Sequence, residues 1–319
     1  MNNQQAIIRQ VVMWSNSPGV QPRTFAQHQK QFDEVLTALD IPLNLNADEK
    51  LERLRATSAE KLVDILDRLQ ISEFRATTDN AFVSKDLMAN IDSGDFGRRM
   101  KARGIRLLNG ECRDEHTSYQ MWRTPSSSYD AVRTRLIADY PESVADKLMR
   151  HYCPDSKTLP LGVSDWPGLF GRIYADMQVH CLERGFHRGL QRGGIEPGTD
   201  LLRYRFDWRS GCIDDTFPPS HGVTHASDLA IWFWGLDFGS GLSEPDREAV
   251  RPWVDAFAAF LTGTVPQWGT NDVKDMRILR SDGKTDIWHD DRWEQGLEVW
   301  DLVNGNAQSG LIGWIKSKL

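Results

Sequence analysis

The side chains whose types and placing could do chemistry are the pair Asp114-Glu115 and the later His225. The carboxylates follow the apolar run Gly104 to Asn109 (GIRLLN), and the histidine follows Leu201 to Trp208 (LLRYRFDW). A histidine so placed can take a proton from a hydroxyl and hand it to a leaving group. An acid beside it holds the imidazole in one tautomer and stabilises the charged form. Nucleophilic acyl transfer needs these two groups and a nucleophile.

Both runs must be strands for the two loops to meet. The spacing predicts further strands at Ile7 to Met13 (IIRQVVM), which ends in the turn-like Ser15-Asn16-Ser17-Pro18-Gly19, and a hairpin of Met276 to Arg280 with Asp286 to His289 through Asp282-Gly283. Helical patterns cover Thr24 to Asp40, Ala47 to Ala56, Ser58 to Leu69, Ser128 to Tyr140, Pro141 to Cys153, Glu244 to Thr262 and Asp290 to Val303. Ser164 to Leu190 reads as a long helical region interrupted near Pro167-Gly168 and near Gly185. Strands separated by helices predict an α/β fold with a largely parallel sheet. In such sheets function collects in loops at the carboxyl ends of the strands, which is where Glu115 and His225 fall.

The residues also carry a resemblance. G-E-C-R-D-E-H from Gly110 resembles the acid turn of the type-B carboxylesterase and cholinesterase family. G-V-T-H-A-S-D-L from Gly222 resembles that family's histidine loop, with an acidic residue, here Asp228, three places after the histidine. I-Y-A-D-M-Q-V-H-C from Ile173 is similar to its aspartate-containing helix start, LLRYRFDW to the following strand, and V-V-M-W-S-N-S-P to the strand and turn after the nucleophile helix. The similarity runs from about Ile7 to about Val303. It implies an α/β-hydrolase fold in which acid precedes base in the chain, with Glu115 the triad acid, His225 the base and Ser15 a supporting serine near the histidine. Trp232 to Trp234 would pack on the acyl-pocket side, and the substrate class would be a small-molecule carboxylic ester. No metal or organic cofactor is implied.

The family's nucleophile stands in a G-x-S-x-G elbow, and this sequence contains none; Gly162-Val163-Ser164 and Gly239-Ser240-Gly241 lack the glycine spacing. The Gly-rich oxyanion loop is missing too. The expectation is therefore an incomplete α/β-hydrolase: residues 1–319 as a single domain forming the C-terminal portion of a carboxylesterase-type unit, inactive alone. Losing a triad nucleophile lowers turnover by about 10⁶. IIRQVVM would then be an uncovered, aggregation-prone edge strand. The alternatives are a non-catalytic α/β-hydrolase-like binding or interaction protein, and one half of a split esterase whose N-terminal half is a separate chain. Two departures bear on the site. His116 stands where the family has a glycine, a strained choice if that position needs positive φ, and Ala226 replaces another glycine as the milder change.

The composition narrows the classes. A chain of 319 residues with net charge −7 does not suit a nucleic-acid partner, and no run approaches the length a membrane span needs. Twelve tryptophans, nine of them from Trp208 onward, predict an aromatic core or cleft in that half. Cys112, Cys153, Cys181 and Cys212 form no C-x-x-C pair and read as buried thiols; Cys181 matches a family half-cystine, but no cysteine follows Cys212 to pair with it. His221 and His225 are four apart, yet Pro218, Pro219 and Gly222 make the segment a loop, and no third metal ligand is evident. His180, Cys181 and His187 read as helix packing or surface, and His289-Asp290-Asp291 as the acidic start of a helix. MNNQQAIIRQ has no signal-peptide core and no glycosylation sequon occurs, which point to the cytoplasm, though a start lying upstream would void the first argument.

Overall fold

The computed structural model describes residues 7–305 except 67, 70–72, 126 and 156–157. The described residues form seven strands, β1 (Gln10–Trp14), β2 (Arg23–Thr24), β3 (Thr77–Thr78), β4 (Arg106–Cys112), β5 (Leu201–Phe206), β6 (Asp275–Leu279) and β7 (Thr285–His289). Five form the main sheet in the order β1-β4-β5-β6-β7, while β2 and β3 make a separate pair. The pairs β1–β4, β4–β5 and β5–β6 are parallel, and only β6–β7 is antiparallel. Each parallel neighbour requires a crossover, which the intervening helices supply. The chain is thus an α/β protein with a mostly parallel central sheet and flanking helices.

The two sheet faces build two cores. On one, Leu107 and Leu201 pack with Phe186, Leu190 and Trp300. On the other, Leu108, Leu202, Tyr204 and Phe206 meet Trp232, Trp253 and Phe260, the aromatic-rich core expected of the second half. A smaller third core of Val35, Leu36, Leu39, Ile41 and Ile65 joins the helices Phe25–Ala38 and Ala59–Leu66.

Several boundaries differ from expectation. β1 is displaced toward Trp14 because its register runs from Gln10 opposite Arg106 to Trp14 opposite Gly110. β4 continues through Gly110, Glu111 and Cys112, so the acid turn is confined to the residues after Cys112. The long helical region is two helices, Trp166–Gln178 and His180–Arg192, broken at Val179 (φ −130°, ψ −83°). Pro167 instead lies in the first turn, where its missing N–H is harmless. Gly185 lies within the second helix, where a Cβ would fall 2.0 Å from Trp300 Cδ2. A short helix, Leu229–Trp232, follows the loop that carries His225. Ser243 caps Glu244–Leu261, accepting the Asp246 N–H, and the hairpin turn places Gly283 at φ 78°. Among the described residues no helix is long and apolar enough to cross a membrane.

L-L-R-Y-R-F alternates apolar and basic residues, and β5 is buried throughout. Arg203 and Arg205 lie under the helix His180–Arg192 in an ionic network. Glu111 accepts from Arg184 Nη1 at 2.9 Å, pairs with Arg205 and lies 2.8 Å from His180 Nδ1. Asp290 takes Arg184 Nη2 at 2.9 Å and Arg203 Nη2 at 3.0 Å. Asp290 is therefore a buried counter-ion; the closing helix begins later, over Trp293–Asn304. His180, Cys181 and His187 are all buried.

Candidate active site

β4 and β5 are neighbours, so the turn after Cys112 and the loop after Phe206 emerge at the same end of the sheet. The two are joined by short polar contacts. The Asp114 N–H donates to Val223 O at 2.9 Å, and the Val223 N–H donates back to Asp114 Oδ2 at 2.9 Å. Thr117 Oγ1 and Ser118 Oγ lie 2.7 and 2.8 Å from Thr224 Oγ1. This closeness depends on Gly222, at φ 63°, whose Cβ would stand 2.2 Å from Asp114 Oδ2.

The clamp brings Glu115 and His225 together. Glu115 is fully buried; its Oε1 accepts the Cys112 N–H at 2.8 Å and its Oε2 lies 2.7 Å from His225 Nδ1. With Nδ1–H donating to the carboxylate, the Nε2 lone pair is free to take a proton. Nε2 has no hydrogen-bond partner among the described residues, and the side chain remains 34% exposed. Burial disfavours the imidazolium, but the hydrogen bond and charge of Glu115 outweigh it and raise the His225 pKa above its ordinary value. An oriented imidazole with one free, partly exposed nitrogen can act as a general base and then as a general acid.

Sequence reasoning missed Tyr119. Its ring lies 5.0 Å from the His225 ring, its hydroxyl lies 3.3 Å from Nδ1, and Trp122 stacks on it. The available signal was its position four residues after Glu115, one helical turn on. Asp228 is buried, accepting from Tyr204 Oη at 2.9 Å and Trp232 Nε1 at 3.3 Å. Burial and the nearby Glu115 charge push it up to about 6.

Backbone strain falls opposite to expectation. His116 opens the helix His116–Tyr119 without positive φ, whereas Ala226, next to His225, sits at φ 67°. Ser15 is also left-handed, at φ 44°, and buried at the end of β1. Its hydroxyl has no hydrogen-bond partner among the described residues, so it is not joined to the Glu115–His225 pair. All four cysteines are free. Among the described residues no group of three or more His, Cys, Asp or Glu side chains could hold a metal ion.

Fold and site together define an α/β protein that presents an acid-oriented histidine at the carboxyl ends of two adjacent parallel strands. Comparison with known proteins gives that description kin. A carboxylic ester hydrolase of Gibberella moniliformis (strain M3125 / FGSC 7600) is 48% identical over 301 residues, 94% of this chain and 55% of that protein. An uncharacterized esterase/lipase of Schizosaccharomyces pombe (strain 972 / ATCC 24843) is 33% identical over 301 residues, with the same shares covered. The chain spans about half the length of these curated relatives. No protein-family model matches the chain.

Proposed function

We propose that this chain supplies the acid and base of a Ser-Glu-His triad in a carboxylic ester hydrolase of the type-B carboxylesterase, cholinesterase-like kind. The observation that carries the reading is the 2.7 Å contact of Glu115 Oε2 with His225 Nδ1, which leaves Nε2 free. In this mechanism Nε2 takes the proton of a serine hydroxyl that residues outside this sequence provide. The serine oxygen attacks the ester carbonyl carbon, and the imidazolium returns the proton to the departing alkoxide. A water, deprotonated by the same nitrogen, then attacks the acyl-enzyme carbonyl, and the imidazolium protonates the departing serine oxygen as the carboxylic acid is released. The Glu115 carboxylate offsets the imidazolium charge. The outer side of β1, a sheet edge, is where a strand leading to that nucleophile would add.

A chimera tests the reading. This chain replaces the 301 matching residues of the Gibberella protein, and hydrolysis of p-nitrophenyl butyrate is measured. The folded chimera is expected to be active, and His225→Ala to lower turnover by about 10⁴ or more. An active chimera indifferent to His225→Ala, or a folded chimera with no activity, would overturn it.

A further inference from the structure

Beside the turn that carries Glu115 lies a cleft of about 510 Å³ that neither Glu115 nor His225 lines. It opens between the start of the helix His116–Tyr119, the end of the helix Glu142–Tyr152 and the outer side of Trp166–Gln178. Arg113, His116, His151, Arg172, His180 and Arg292 line it, and Asp176 is the one carboxylate among the lining residues. On a chain whose net charge is −7 this is a local reversal of sign.

The cations are unequally compensated. Arg113 is held by Asp114, at 3.0 and 2.8 Å. Asp176 accepts from Tyr152 Oη at 2.7 Å and meets Arg292 Nη2 only at 3.5 Å. Arg172 donates to the Gly162 carbonyl and has no carboxylate partner among the described residues. His116 is half-buried beside it. Burial pushes that imidazole down, and the Arg172 and His180 charges add to the effect against Asp114 and Asp176. A neutral imidazole still offers an N–H donor. The other side of the cleft, at Pro160, Leu161, Val163 and Leu169, is apolar.

We propose that this cleft is a second binding site, taking a small oxyanion on a compact apolar body, a carboxylate or a phosphate monoester, through Arg172 and Arg292. Guanidinium groups match the paired oxygens of both anions, and charge-assisted hydrogen bonds are stronger than neutral ones. The apolar side receives the body of the ligand. Glu115 and His225 do not line the cleft, so occupancy does not require the proposed reaction.

The purified chain is titrated at constant ionic strength with inorganic phosphate and, separately, with butyrate, by calorimetry and by amide chemical shifts. Saturable binding of at least one probe is expected, with Kd raised about tenfold or more in Arg172→Ala and in Arg292→Ala. Arg172 is exposed, so its removal leaves the core intact, and Arg172→Lys should restore part of the affinity. Arg247→Ala, which removes an exposed cation from another helix, should change nothing. A preference for phosphate or for butyrate identifies which oxyanion the cleft takes. Absence of saturation with both probes, or equal weakening by Arg247→Ala, would overturn the site.

Discussion

Glu115 holds His225 Nδ1 with one carboxylate oxygen while the other accepts the Cys112 N–H, at 2.7 and 2.8 Å. The acid is thereby pinned to the last residue of β4, and the imidazole plane is set by the sheet rather than by its own loop. Both oxygens are engaged, so the carboxylate cannot rotate away without breaking a buried hydrogen bond.

The pair's electrostatics should be visible by titration. Glu115→Gln keeps the shape and removes the charge, leaving only the Asp228 charge to oppose the effect of burial on His225. The His225 pKa, followed by NMR of the ring protons, should be lower in the variant than in the parent, where it is raised. The sign for stability follows. A histidine raised in the folded state stabilises fully below 6.5, and its contribution is lost as pH rises through the folded pKa. The stability gap between parent and Glu115→Gln should therefore narrow from pH 6 to pH 9, and a gap that stays constant would dissociate it from His225.

Ala226 is left-handed at φ 67°, immediately beside His225. A Cβ there costs about 1 kcal/mol or more, which glycine avoids. Ala226→Gly should stabilise the chain by roughly 0.5–1 kcal/mol, the gain reduced by glycine's greater unfolded entropy. A higher urea midpoint with unchanged m-value is the expected readout.

The network under β5 should respond unequally to its acids. Asp290→Ala removes the hydrogen-bonded carboxylate of Arg203 and one of the two on Arg184, which keeps Glu111, and should destabilise by about 3–5 kcal/mol. Glu183 is different: burial pushes its carboxyl up, favouring the neutral form. Glu183→Gln should change stability by less than about 1 kcal/mol, and urea denaturation of both variants checks the contrast.

Local patterns were readable where short-range physics decides. The helix Ala47–Ala56 follows its sequence period, with Asn46 and Glu49 closing a capping box, and Gly283 turns the β6–β7 hairpin. The α/β order was readable from strands alternating with helices. The pairing of Glu115 with His225 was approachable because loops after adjacent parallel strands share one end of the sheet. What could not be read depended on partners distant in sequence. Arg203 and Arg205 look like a solvated face until Asp290 and Glu111 are placed beside them. Gly185 looks like a helix break until Trp300 is placed against it. Tyr119 has no motif of its own, and the strain assigned to His116 proved to lie at Ala226, because φ is set by the way the two loops close.

The alternation in β5 also governs how the chain avoids wrong pairings. Leu202, Tyr204 and Phe206 enter the aromatic core, while Arg203 and Arg205 enter the ionic one. A slip of one residue would exchange the faces. Two guanidinium groups would then sit among Trp232, Trp253 and Phe260, and Glu111 and Asp290 would face hydrocarbon. The buried arginines thus act as a proofreading device for strand alignment, making misaligned sheets self-rejecting even though their backbone hydrogen bonds could form equally well.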